Sequence, residues 1–351
     1  MSDLPPLEPN PGVSYVMPVL NEESQLAAAV ESVLAQEYAG EAEVLVVLGQ
    51  SRDGTDEVAA RLAGADHRVK LLRNPRNHIP VAMNIGIAAS RHPVVVRVDA
   101  HSALPPGYTD TAVEVLRRTG AGNVGGRMIA EGEAPFQRAV ARAYNSVFGT
   151  AGGVYHHSEV EQSADSAYLG VFRKEVLEEV GGYDETLLRG EDWELNKRIR
   201  EAGHDVVFTP LLRVVYRPRS SLRALAKQMY ATGAWRGHLL RRDKGMPWRF
   251  APPPVVLALV VAAALASVAQ AFGIGRGSAT AKLLQGGALA YFGGVAVVGA
   301  LALGGETVRD KALNGVVLAT MHLSWAAGFF KGLAAGASAT VDRSRLGRPA
   351  D

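Results

Sequence analysis

The sequence predicts an α/β domain with a mostly parallel sheet, followed by about three apolar helices long enough to cross a membrane. Three observations support this fold class. Short β-branched runs alternate with amphipathic segments through the first half of the chain. Polar residues follow the ends of several of these runs. Charged residues become rare in the last third of the 351 residues, a length that allows more than one domain.

The alternation in the first half predicts a sheet with helices on both faces. The predicted strands are residues 13–19, 43–48, 69–72, 94–98, 123–130 and 206–208. The predicted helices are residues 22–36, 56–63, 79–90, 109–119, 175–180 and 193–202. Residues 149–166 contain glycines and histidines without a periodic pattern and are interpreted as a loop.

Three apolar stretches occupy most of residues 251–337. They span about residues 253–272, 283–303 and 312–335, each close to the ~20 residues that cross a bilayer as a helix. Only seven charged residues lie between positions 250 and 340: Arg276, Lys282, Glu306, Arg309, Asp310, Lys311 and Lys331. A soluble helical domain is the alternative, but it would lack a polar outer face. We therefore predict three transmembrane helices and a tail at 338–351.

A basic segment, residues 216–250, precedes these helices. Between Leu212 and Arg249 there are ten Lys or Arg residues and one acid. The segment predicts an amphipathic helix in the membrane interface, with Trp235 and Trp248 as anchors. Packing of this helix on the preceding domain is the alternative. Basic residues beside apolar spans predict a cytoplasmic face that attracts anionic lipids, and nucleic acid is not an expected partner.

The remaining composition bears on location and chemistry. Residues 1–12 are polar and proline-rich, unlike a signal peptide. We therefore expect the domain at 12–215 in the cytoplasm and the helices in a bacterial-type inner (plasma) membrane. The chain has no cysteine, which excludes disulfides and thiol catalysis.

Asp99 and His101 follow the apolar strand 94–98 and are separated by Ala100. They lie at the carboxyl end of that strand, the edge where open α/β sheets bind ligands. A carboxylate and an imidazole can both bind one divalent cation, and such a cation can neutralise a diphosphate. The alternative for His101 is a hydrogen bond to phosphate or backbone only.

Two further polar clusters follow the first two strands, and a third lies near the start of a helix. They contain Pro18, Asn21 and Glu22, then Gln50 and Asp53, then Asn84. Carboxylates and amides can bind the polar edges of a base and a ribose, and the start of a helix offers N–H groups to a phosphate. Turns and helix caps use the same residue types, so each cluster alone is weak evidence.

A second acidic cluster, Glu191 and Asp192, lies about ninety residues after Asp99. A hydroxyl is a poor nucleophile, and a carboxylate within hydrogen-bond reach can take its proton during the reaction. The alternative is that both acids only stabilise the start of the following helix through its dipole.

Together, these motifs resemble the family 2 glycosyltransferases, which have the Rossmann-type nucleotide-sugar fold called GT-A. The resemblance covers roughly residues 12–242 and rests on the order and spacing of the clusters. It continues through Gly170-Val171-Phe172-Arg173-Lys174, Val180-Gly181-Gly182-Tyr183-Asp184-Glu185 and Arg189-Gly190-Glu191-Asp192-Trp193. With its three trailing apolar stretches, the chain is most similar to the succinoglycan-type exopolysaccharide glycosyltransferases.

The resemblance implies how a donor is bound. It places Asp53 on the nucleobase, and Asp99 and Ala100 near the ribose and the metal. His101 takes the position of the last acid in the usual Asp-x-Asp motif. The implied cofactor is Mn²⁺ or Mg²⁺, and the implied donor is a nucleotide-sugar, with a UDP-sugar expected first.

The resemblance also implies the reaction. Asp192 matches the general base and Glu191 its neighbour, in a displacement that inverts the anomeric carbon. The implied acceptor is a hydroxyl of a polyprenyl-diphosphate-linked glycan in exopolysaccharide or cell-envelope synthesis. One alternative is transfer to a polyprenyl phosphate, and another is a catalytically silent membrane scaffold.

Two positions depart from the family pattern. Gly49-Gln50 stands where paired acids commonly follow the second strand, so the nucleobase that the donor carries stays open. Gln228 begins a segment that lacks the Gln-x-x-Arg-Trp of processive members, and Trp235-Arg236 has the reverse order, so addition of a single sugar is expected. The weaker candidates for contacts with the acceptor or the membrane are Gln228, Trp235 and Arg236, together with His322 in the last span.

Overall fold

A computed structural model of the protein describes residues 4–149, 153–187, 189–243 and 248–336. Its contacts divide the chain into two compact units. The first takes in the described residues up to Ile129 and those of Gly153–Tyr216, and the second takes in residues 130–149 and 217–336. Residues 130–149 thus group with the apolar helices, whereas the sequence analysis includes them in the domain at 12–215.

The first unit alternates strands and helices. Its strands are β1 (Val13–Val19), β2 (Ala42–Leu48), β3 (Val69–Arg73), β4 (Val94–Arg97), β5 (Asn123–Ala130), β6 (Gln162–Ser163), β7 (Tyr168–Arg173) and β8 (Val206–Tyr216). Its helices are α1 (Leu26–Leu34), α2 (Thr55–Ala65), α3 (Ile79–Ala89), α4 (Tyr108–Thr119), α6 (Val154–His157), α7 (Lys174–Glu179) and α8 (Glu191–Glu201).

The strands form one eight-stranded mixed sheet in the order β3-β2-β1-β4-β7-β5-β8-β6. β1 pairs in parallel with β2 and β4, and β2 pairs in parallel with β3. β7 runs antiparallel to both β4 and β5, and β6 runs antiparallel to β8. The parallel half brings the carboxyl ends of β1, β2 and β4 to one edge.

The two faces of the sheet bury separate apolar cores. Val96 and Val98 join the core formed with α1 and α4, whereas Val95 joins the core formed with α3, α7 and α8. This alternation is the period of two expected of a strand. The side chain of Arg97 therefore falls on the same side as Val95, toward α8.

In the first unit, three differences from the predicted elements are larger than a shift of a helix end. The sequence pattern does not predict β7, whose run contains a glycine and no alternation; pairing with strands on both sides forms it. β8 extends to Tyr216 instead of ending at 208. The predicted loop 149–166 contains the short elements α6 and β6, and its residues 150–152 lie outside the described residues.

The second unit is helical. It contains α5 (Pro135–Tyr144), α9 (Leu222–Asp243), a 3₁₀ turn (Trp248–Phe250), α10 (Pro252–Ala271), α11 (Ala279–Leu301) and α12 (Val308–Ala335). The sequence analysis does not predict α5, although the helix is amphipathic and begins at Pro135. The helices α10, α11 and α12 are 20, 23 and 28 residues long, and each is apolar enough to cross a membrane. The three predicted apolar helices are therefore present and begin slightly earlier than predicted.

Helices α9 and α12 cross with their backbones in close contact. Gly233 and Gly237 of α9 lie at the crossing, as do Gly328 and Gly332 of α12. A Cβ atom on Gly328 would lie 1.9 Å from the carbonyl oxygen of Tyr230, so a larger residue does not fit. Glycines four residues apart are typical of helix pairs in membranes. The amphipathic helix thus packs directly on the last apolar helix.

Polar contacts join α5, α11 and α12. Asn314 is fully buried, and its Nδ2 donates to the carbonyl oxygens of Gly299 and Gly304, both at 2.8 Å. Its Oδ1 accepts from Arg142 Nε at 2.9 Å. Because a buried amide needs partners, these bonds explain why the segment containing α5 belongs to the helical unit.

Candidate active site

Most of the predicted site residues lie at the carboxyl ends of β1, β2 and β4 in the first unit. Val19 and Leu48, the last residues of β1 and β2, are neighbours in the parallel register. Val16 of β1 is the neighbour of Arg97, the last residue of β4. The loops that follow these strands therefore meet at one edge of the sheet.

Hydrogen bonds tie the loop after β1 to the loop after β2. Asn21 N donates to Ser51 Oγ at 3.0 Å, and Asn21 Oδ1 accepts from Arg52 N at 2.8 Å. Glu22 N donates to Thr55 Oγ1 at 2.8 Å. Asn21 has a φ of 56°, a left-handed conformation that asparagine adopts more readily than most residues. The two loops form a polar rim whose backbone is held by its own contacts.

Asp53 lies exposed on this rim, and both of its carboxylate oxygens accept local hydrogen bonds. Oδ1 accepts from the backbone N of Thr55 at 3.2 Å and from the Thr55 hydroxyl, and Oδ2 accepts from Glu23 N at 3.3 Å. Burial tends to raise the pKa of Asp53, but these hydrogen bonds lower it below its usual value. Asp53 is thus an oriented carboxylate, and its contact with a nucleobase stays a prediction.

Gln50 and Pro18 lie beside the same rim. Gln50 N donates to Asn77 Oδ1 at 2.6 Å, and Gln50 Nε2 donates to the carbonyl oxygen of Pro75 at 3.4 Å. Pro18 is half-buried in β1 opposite Val47. Gln50 is exposed and has an amide that can reach a ligand, whereas Pro18 offers only its ring and its carbonyl group.

Asn84 bonds to the turn before α8, and the nucleotide contact that the sequence predicts for it stays a prediction. Its Oδ1 accepts from Tyr183 N at 2.8 Å, and its Nδ2 donates to Tyr183 O at 2.9 Å and Glu185 Oε1 at 3.0 Å. Gly182 has a φ of 69°, and a Cβ atom there would lie 2.6 Å from Asn84 Oδ1. Asn84 therefore shapes the turn at Gly182 and Tyr183, which only the folded chain brings to α3.

Asp99, Ala100 and His101 follow β4 at the same edge. The side chains of Asp99 and His101 are 20% and 39% exposed. His101 Nδ1 lies 3.0 Å from Glu22 Oε1, which joins the end of β4 to the rim. Ala100 is buried in the apolar core that contains Val96 and Val98.

These residues fit a divalent cation that would be coordinated both by the protein and by a diphosphate. Asp99 offers a carboxylate and His101 an imidazole, a donor set that suits Mn²⁺ better than Mg²⁺. Within the part of the chain that the structure describes, no group of three or more His, Asp or Glu side chains is arranged to hold a metal ion. Mg²⁺ sites in phosphate-binding enzymes commonly use one or two carboxylates and complete the shell with phosphate and water.

Glu191 and Asp192 are the first two residues of α8. Gly190 precedes them with a φ of 71°, which allows a sharp entry into the helix. Glu191 is buried, and the Asp192 side chain is 35% exposed. Their negative charges suit the start of a helix, but both carboxylates also contact a buried cation that comes from β4.

That cation is Arg97, which the sequence analysis does not single out. Its side chain is only 6% exposed. Its Nε lies 3.2 Å from Asp99 Oδ1, and its Nη1 lies 3.4 Å from Glu191 Oε1. The same Nη1 also hydrogen-bonds Asp192 Oδ1. The signal in the sequence is an arginine inside an apolar strand, because a buried charge must be paired.

Tyr183 is a second residue that the sequence analysis leaves without a role. It is 2% exposed, and its hydroxyl donates to Asp192 Oδ1 at 3.2 Å. Since Asn84 holds the backbone of Tyr183, the position of Asp192 depends on α3, on β4 through Arg97, and on the turn before α8.

The electrostatics of this cluster bring the pKa of Asp192 close to neutral pH. Burial is the largest influence and raises the pKa of Asp192, the charge of Arg97 lowers it, and the charge of Glu191 raises it; together they bring it to about 7. Burial lowers the pKa of Arg97, but the surrounding carboxylates hold it well above its usual value. Burial and the charge of Asp192 raise the pKa of Tyr183. A carboxylate that titrates near neutral pH is suited to general base catalysis.

Three weaker candidates lie on α9 in the second unit. Trp235 is buried, and the guanidinium carbon of Arg236 lies 4.6 Å from the ring centres of Trp235 and Phe250. Gln228 lies two turns earlier on the same helix. A role for these residues in acceptor binding stays a prediction.

His322 joins helices in the second unit. Its Nε2 lies 2.7 Å from the carbonyl oxygen of Phe148, and its Nδ1 lies 3.2 Å from the Tyr291 hydroxyl. A neutral imidazole has one donor and one acceptor, and these contacts use both. The structure thus gives His322 a packing role, and contact with a lipid phosphate stays a prediction.

A cavity of about 440 Å³ opens near the amino ends of β2 and β4. Its lining includes Gln36, Arg68, Arg91 and His92, and none of the predicted site residues. It is therefore separate from the carboxyl edge of the sheet.

The sequence is similar to those of known glycosyltransferases. The family model described as Glycosyl transferase family 2 matches residues 14–181. Succinoglycan biosynthesis protein ExoA from Rhizobium meliloti (strain 1021) is 32% identical over 320 residues, which cover 91% of this chain and 94% of the relative. The dolichyl N-acetyl-alpha-D-glucosaminyl phosphate 3-beta-D-2,3-diacetamido-2,3-dideoxy-beta-D-glucuronosyltransferase of Methanococcus voltae is 22% identical over 239 residues, which cover 66% and 74% of the two chains.

The fold is also found in a solved structure. Mannosyltransferase PcManGT from Pyrobaculum calidifontis, in complex with GDP-Man and Mn²⁺, matches with a TM-score of 0.61 at 20% identity. The match covers 91% of this chain and 88% of that one. The predicted GT-A fold with trailing apolar helices is confirmed, and the similarity to ExoA extends through both units. The chain belongs to glycosyl transferase family 2.

Proposed function

We propose that this protein is an inverting, membrane-bound glycosyltransferase. It moves a sugar from a nucleotide-sugar donor to a hydroxyl of a polyprenyl-diphosphate-linked glycan in exopolysaccharide or cell-envelope synthesis. The observation that carries the proposal is the network in which Arg97 joins Asp99, the candidate metal ligand, to Asp192, the candidate base. One buried cation connects the two groups that such a transfer needs.

The donor binds at the rim formed by the loops after β1 and β2. Gln50 and Asp53 supply polar groups for the base, and Asp99 and His101 hold Mn²⁺ or Mg²⁺. When bound, the cation neutralises the diphosphate and stabilises it as a leaving group. The complex of PcManGT with GDP-Man and Mn²⁺ supports this use of the fold. A UDP-sugar is the first donor to test, and a GDP-sugar is the second.

Asp192 acts as the general base. As the acceptor oxygen bonds to the anomeric carbon, the bond from that carbon to the diphosphate oxygen breaks, and the hydroxyl proton moves to the carboxylate. Attack from the side opposite the leaving group inverts the anomeric carbon, so an α-linked donor gives a β-linkage. The pKa of Asp192, about 7, suits a group that must accept a proton near neutral pH.

The apolar helices support an acceptor that is anchored in the membrane. The three candidate spans would hold the enzyme beside polyprenyl-linked substrates. The name of the relative from Methanococcus voltae, which contains a dolichyl-linked sugar phosphate, supports an acceptor of this class. The name of the relative from Rhizobium meliloti, a succinoglycan biosynthesis protein, supports a role in exopolysaccharide synthesis. The basic residues of α9 support a catalytic domain on the cytoplasmic side of the inner membrane, near anionic lipids.

Transfer to a polyprenyl phosphate is the second candidate. The phosphate oxygen of that acceptor is already ionised and has less need of a base. The buried contact of Asp192 with Arg97 and Tyr183 favours a hydroxyl acceptor, because it holds a carboxylate ready to remove a proton.

The test is nucleoside-diphosphate release by the full-length protein in lipid nanodiscs with Mn²⁺. UDP- and GDP-sugars are paired with extracted polyprenyl-diphosphate glycans or with polyprenyl phosphate alone. We expect release that requires the glycan, stops with EDTA and returns with Mn²⁺, and a β-linked product by NMR from an α-linked donor. Release with polyprenyl phosphate alone would favour the second candidate. Nucleotide binding without release from any pair would favour the catalytically silent scaffold.

A further inference from the structure

We infer that Arg97 and Tyr183 are positioning residues for Asp192. Both hydrogen-bond to its Oδ1, which leaves Oδ2 as the oxygen that takes the acceptor proton. This inference rests on the proposed function, in which Asp192 is the base. It gives a role to two buried side chains and identifies which of the two carboxylate oxygens reacts.

The geometry begins with two donors on one atom. Arg97 Nη1 and the Tyr183 hydroxyl both bond to Asp192 Oδ1. Both donor side chains are almost fully buried, whereas the Asp192 side chain is 35% exposed. Oδ1 is therefore the inner oxygen, and the exposed part of the carboxylate is the part that an acceptor can reach.

Two bonds to one oxygen fix the carboxylate plane as well as its position. A single hydrogen bond would let the group rotate about its Cβ–Cγ bond, whereas two donors from different elements oppose that rotation. Orientation of a reacting group is a large part of catalysis, and a misplacement of about 1 Å can lower a rate about 100-fold. The pair thus limits Asp192 to one productive arrangement.

Arg97 also relates the base to the donor side of the site. Its Nε lies 3.2 Å from Asp99 Oδ1, while its Nη1 contacts the two acids of α8. A planar guanidinium keeps these contacts at a fixed separation, which the single nitrogen of a lysine cannot do. Arg97 therefore sets the distance between the metal-side carboxylate and the base.

The hydroxyl of Tyr183 is not needed to fill the apolar core. The ring lies in the apolar core with Leu195 and Phe172, where a phenylalanine would fill the same volume. Its hydroxyl reaches Asp192, and Asn84 holds the Tyr183 backbone from both sides through Tyr183 N and O. This support makes the hydroxyl a fixed donor.

The test compares Arg97→Lys and Tyr183→Phe with matched controls in nanodiscs. Tyr15→Phe is the control for the tyrosine, because Tyr15 is equally buried but bonds to Thr109 Oγ1 at 2.5 Å. Arg118→Lys is the control for the arginine, because Arg118 pairs with Glu161 on the surface.

We expect Tyr183→Phe to lower kcat about 3- to 10-fold, the loss of one hydrogen bond. Arg97→Lys should lower kcat about 100-fold, because the fork geometry is lost. For Tyr183→Phe, the KM for the donor and the Mn²⁺-dependent affinity for UDP or GDP should stay within about twofold, since the Tyr183 hydroxyl bonds to Asp192 and not to the metal-side carboxylate. Added guanidinium should restore part of the kcat of Arg97→Ala. The two control variants should match the wild type.

Asp192→Asn separates failure of this inference from failure of the proposed function. Transfer by Asp192→Asn at the wild-type rate would remove Asp192 as the base and overturn this inference, while the transfer itself would still support the glycosyltransferase function. Absence of transfer by the wild-type protein from every donor and acceptor pair would overturn the proposed function. Loss of transfer in Asp192→Asn together with wild-type kcat in Tyr183→Phe and Arg97→Lys would overturn the positioning role alone. So would a raised donor KM at unchanged kcat. If the Arg97 variants do not fold, the kcat of Tyr183→Phe decides the question.

Discussion

Two buried carboxylate clusters lie at opposite ends of the same sheet and have opposite electrostatics. Glu43, near the start of β2, is fully buried and accepts hydrogen bonds from Lys70 Nζ at 2.6 Å and Arg91 Nε at 3.0 Å. Asp192, at the carboxyl edge, shares the single guanidinium of Arg97 with two other carboxylates. In the ion pairs of the described residues, one cluster has two cations for one acid, and the other has one cation for three.

The ratio of cations to carboxylates explains the different pKa values. Burial raises the pKa of Glu43, but its hydrogen bonds to Lys70, Arg91 and Ser14 outweigh burial and bring it to about 2. Burial raises the pKa of Asp192 to about 7, and one shared guanidinium does not offset it. Burial acts in the same direction in both clusters, so the partners decide which carboxylate stays charged and which can exchange a proton.

The largest expected effect is the loss of transfer in Asp192→Asn. We expect at least about a 100-fold fall in kcat, because the amide cannot accept the proton. The melting temperature should stay the same or rise, since the substitution removes a negative charge from a cluster of three. Transfer assays and thermal unfolding in nanodiscs measure both. A lower melting temperature would show that Asp192 is a structural acid like Glu43.

Glu43→Gln should have the opposite profile. We expect a loss of about 2 to 3 kcal/mol in the free energy of unfolding, because the buried acceptor loses charge-assisted bonds. The kcat of the folded protein should not change. Glu114→Gln is the matched control, because Glu114 forms an exposed surface pair with Arg117 and should cost less than about 1 kcal/mol. A fall in kcat without a change in stability would contradict this assignment.

The two clusters should respond to different ranges of pH. The folded-state pKa of Glu43, about 2, lies below its unfolded value of 4.5. Its contribution to stability is therefore complete above pH 4.5 and is lost as the pH falls toward 2. Asp192 must be ionised to act as a base, so kcat/KM should rise with pH through about 7. Glu43→Gln should flatten the acid loss of stability and leave the activity profile unchanged.

The smallest effect is expected from removing one of the two cations at Glu43. Lys70→Met should lower the free energy of unfolding by less than about 1 kcal/mol, because Lys70 is 40% exposed and Arg91 remains. Thermal unfolding beside the wild type measures the shift. A loss as large as that of Glu43→Gln would mean that a single ion pair dominates the cluster.

Much of the fold follows from local patterns in the sequence. The strand Val13–Val19 matches its predicted bounds, and the apolar stretches predict α10, α11 and α12 to within a few residues. The sequence analysis leaves out β7 and α5. β7 forms because it pairs with strands on both sides, whereas α5 has a local signal, an amphipathic pattern that begins at Pro135.

The candidate site was predictable in its location and only partly in its residues. Asp99 and Asp192 follow from their places at a strand end and a helix start. The sequence predicts a nucleotide contact for Asn84, which stays a prediction, but it does not predict the hydrogen bonds that Asn84 makes to Tyr183 and Glu185. An asparagine's partners depend on the segment that packs against its helix, and that segment lies about a hundred residues away in the chain.

The sequence by itself determined most of the strands, the apolar helices and the family, because the period of two, the length of an apolar run and a motif are local properties. Only the tertiary structure decided that Arg97 meets Asp192 and that α9 crosses α12 through glycines. Arg97 and Asp192 are 95 positions apart, and charge pairing depends on which elements the sheet order makes neighbours. The role proposed for Asp192 depends on that neighbourhood, since an acid at the start of a helix is suited to act as a base only when burial and its partners set its pKa.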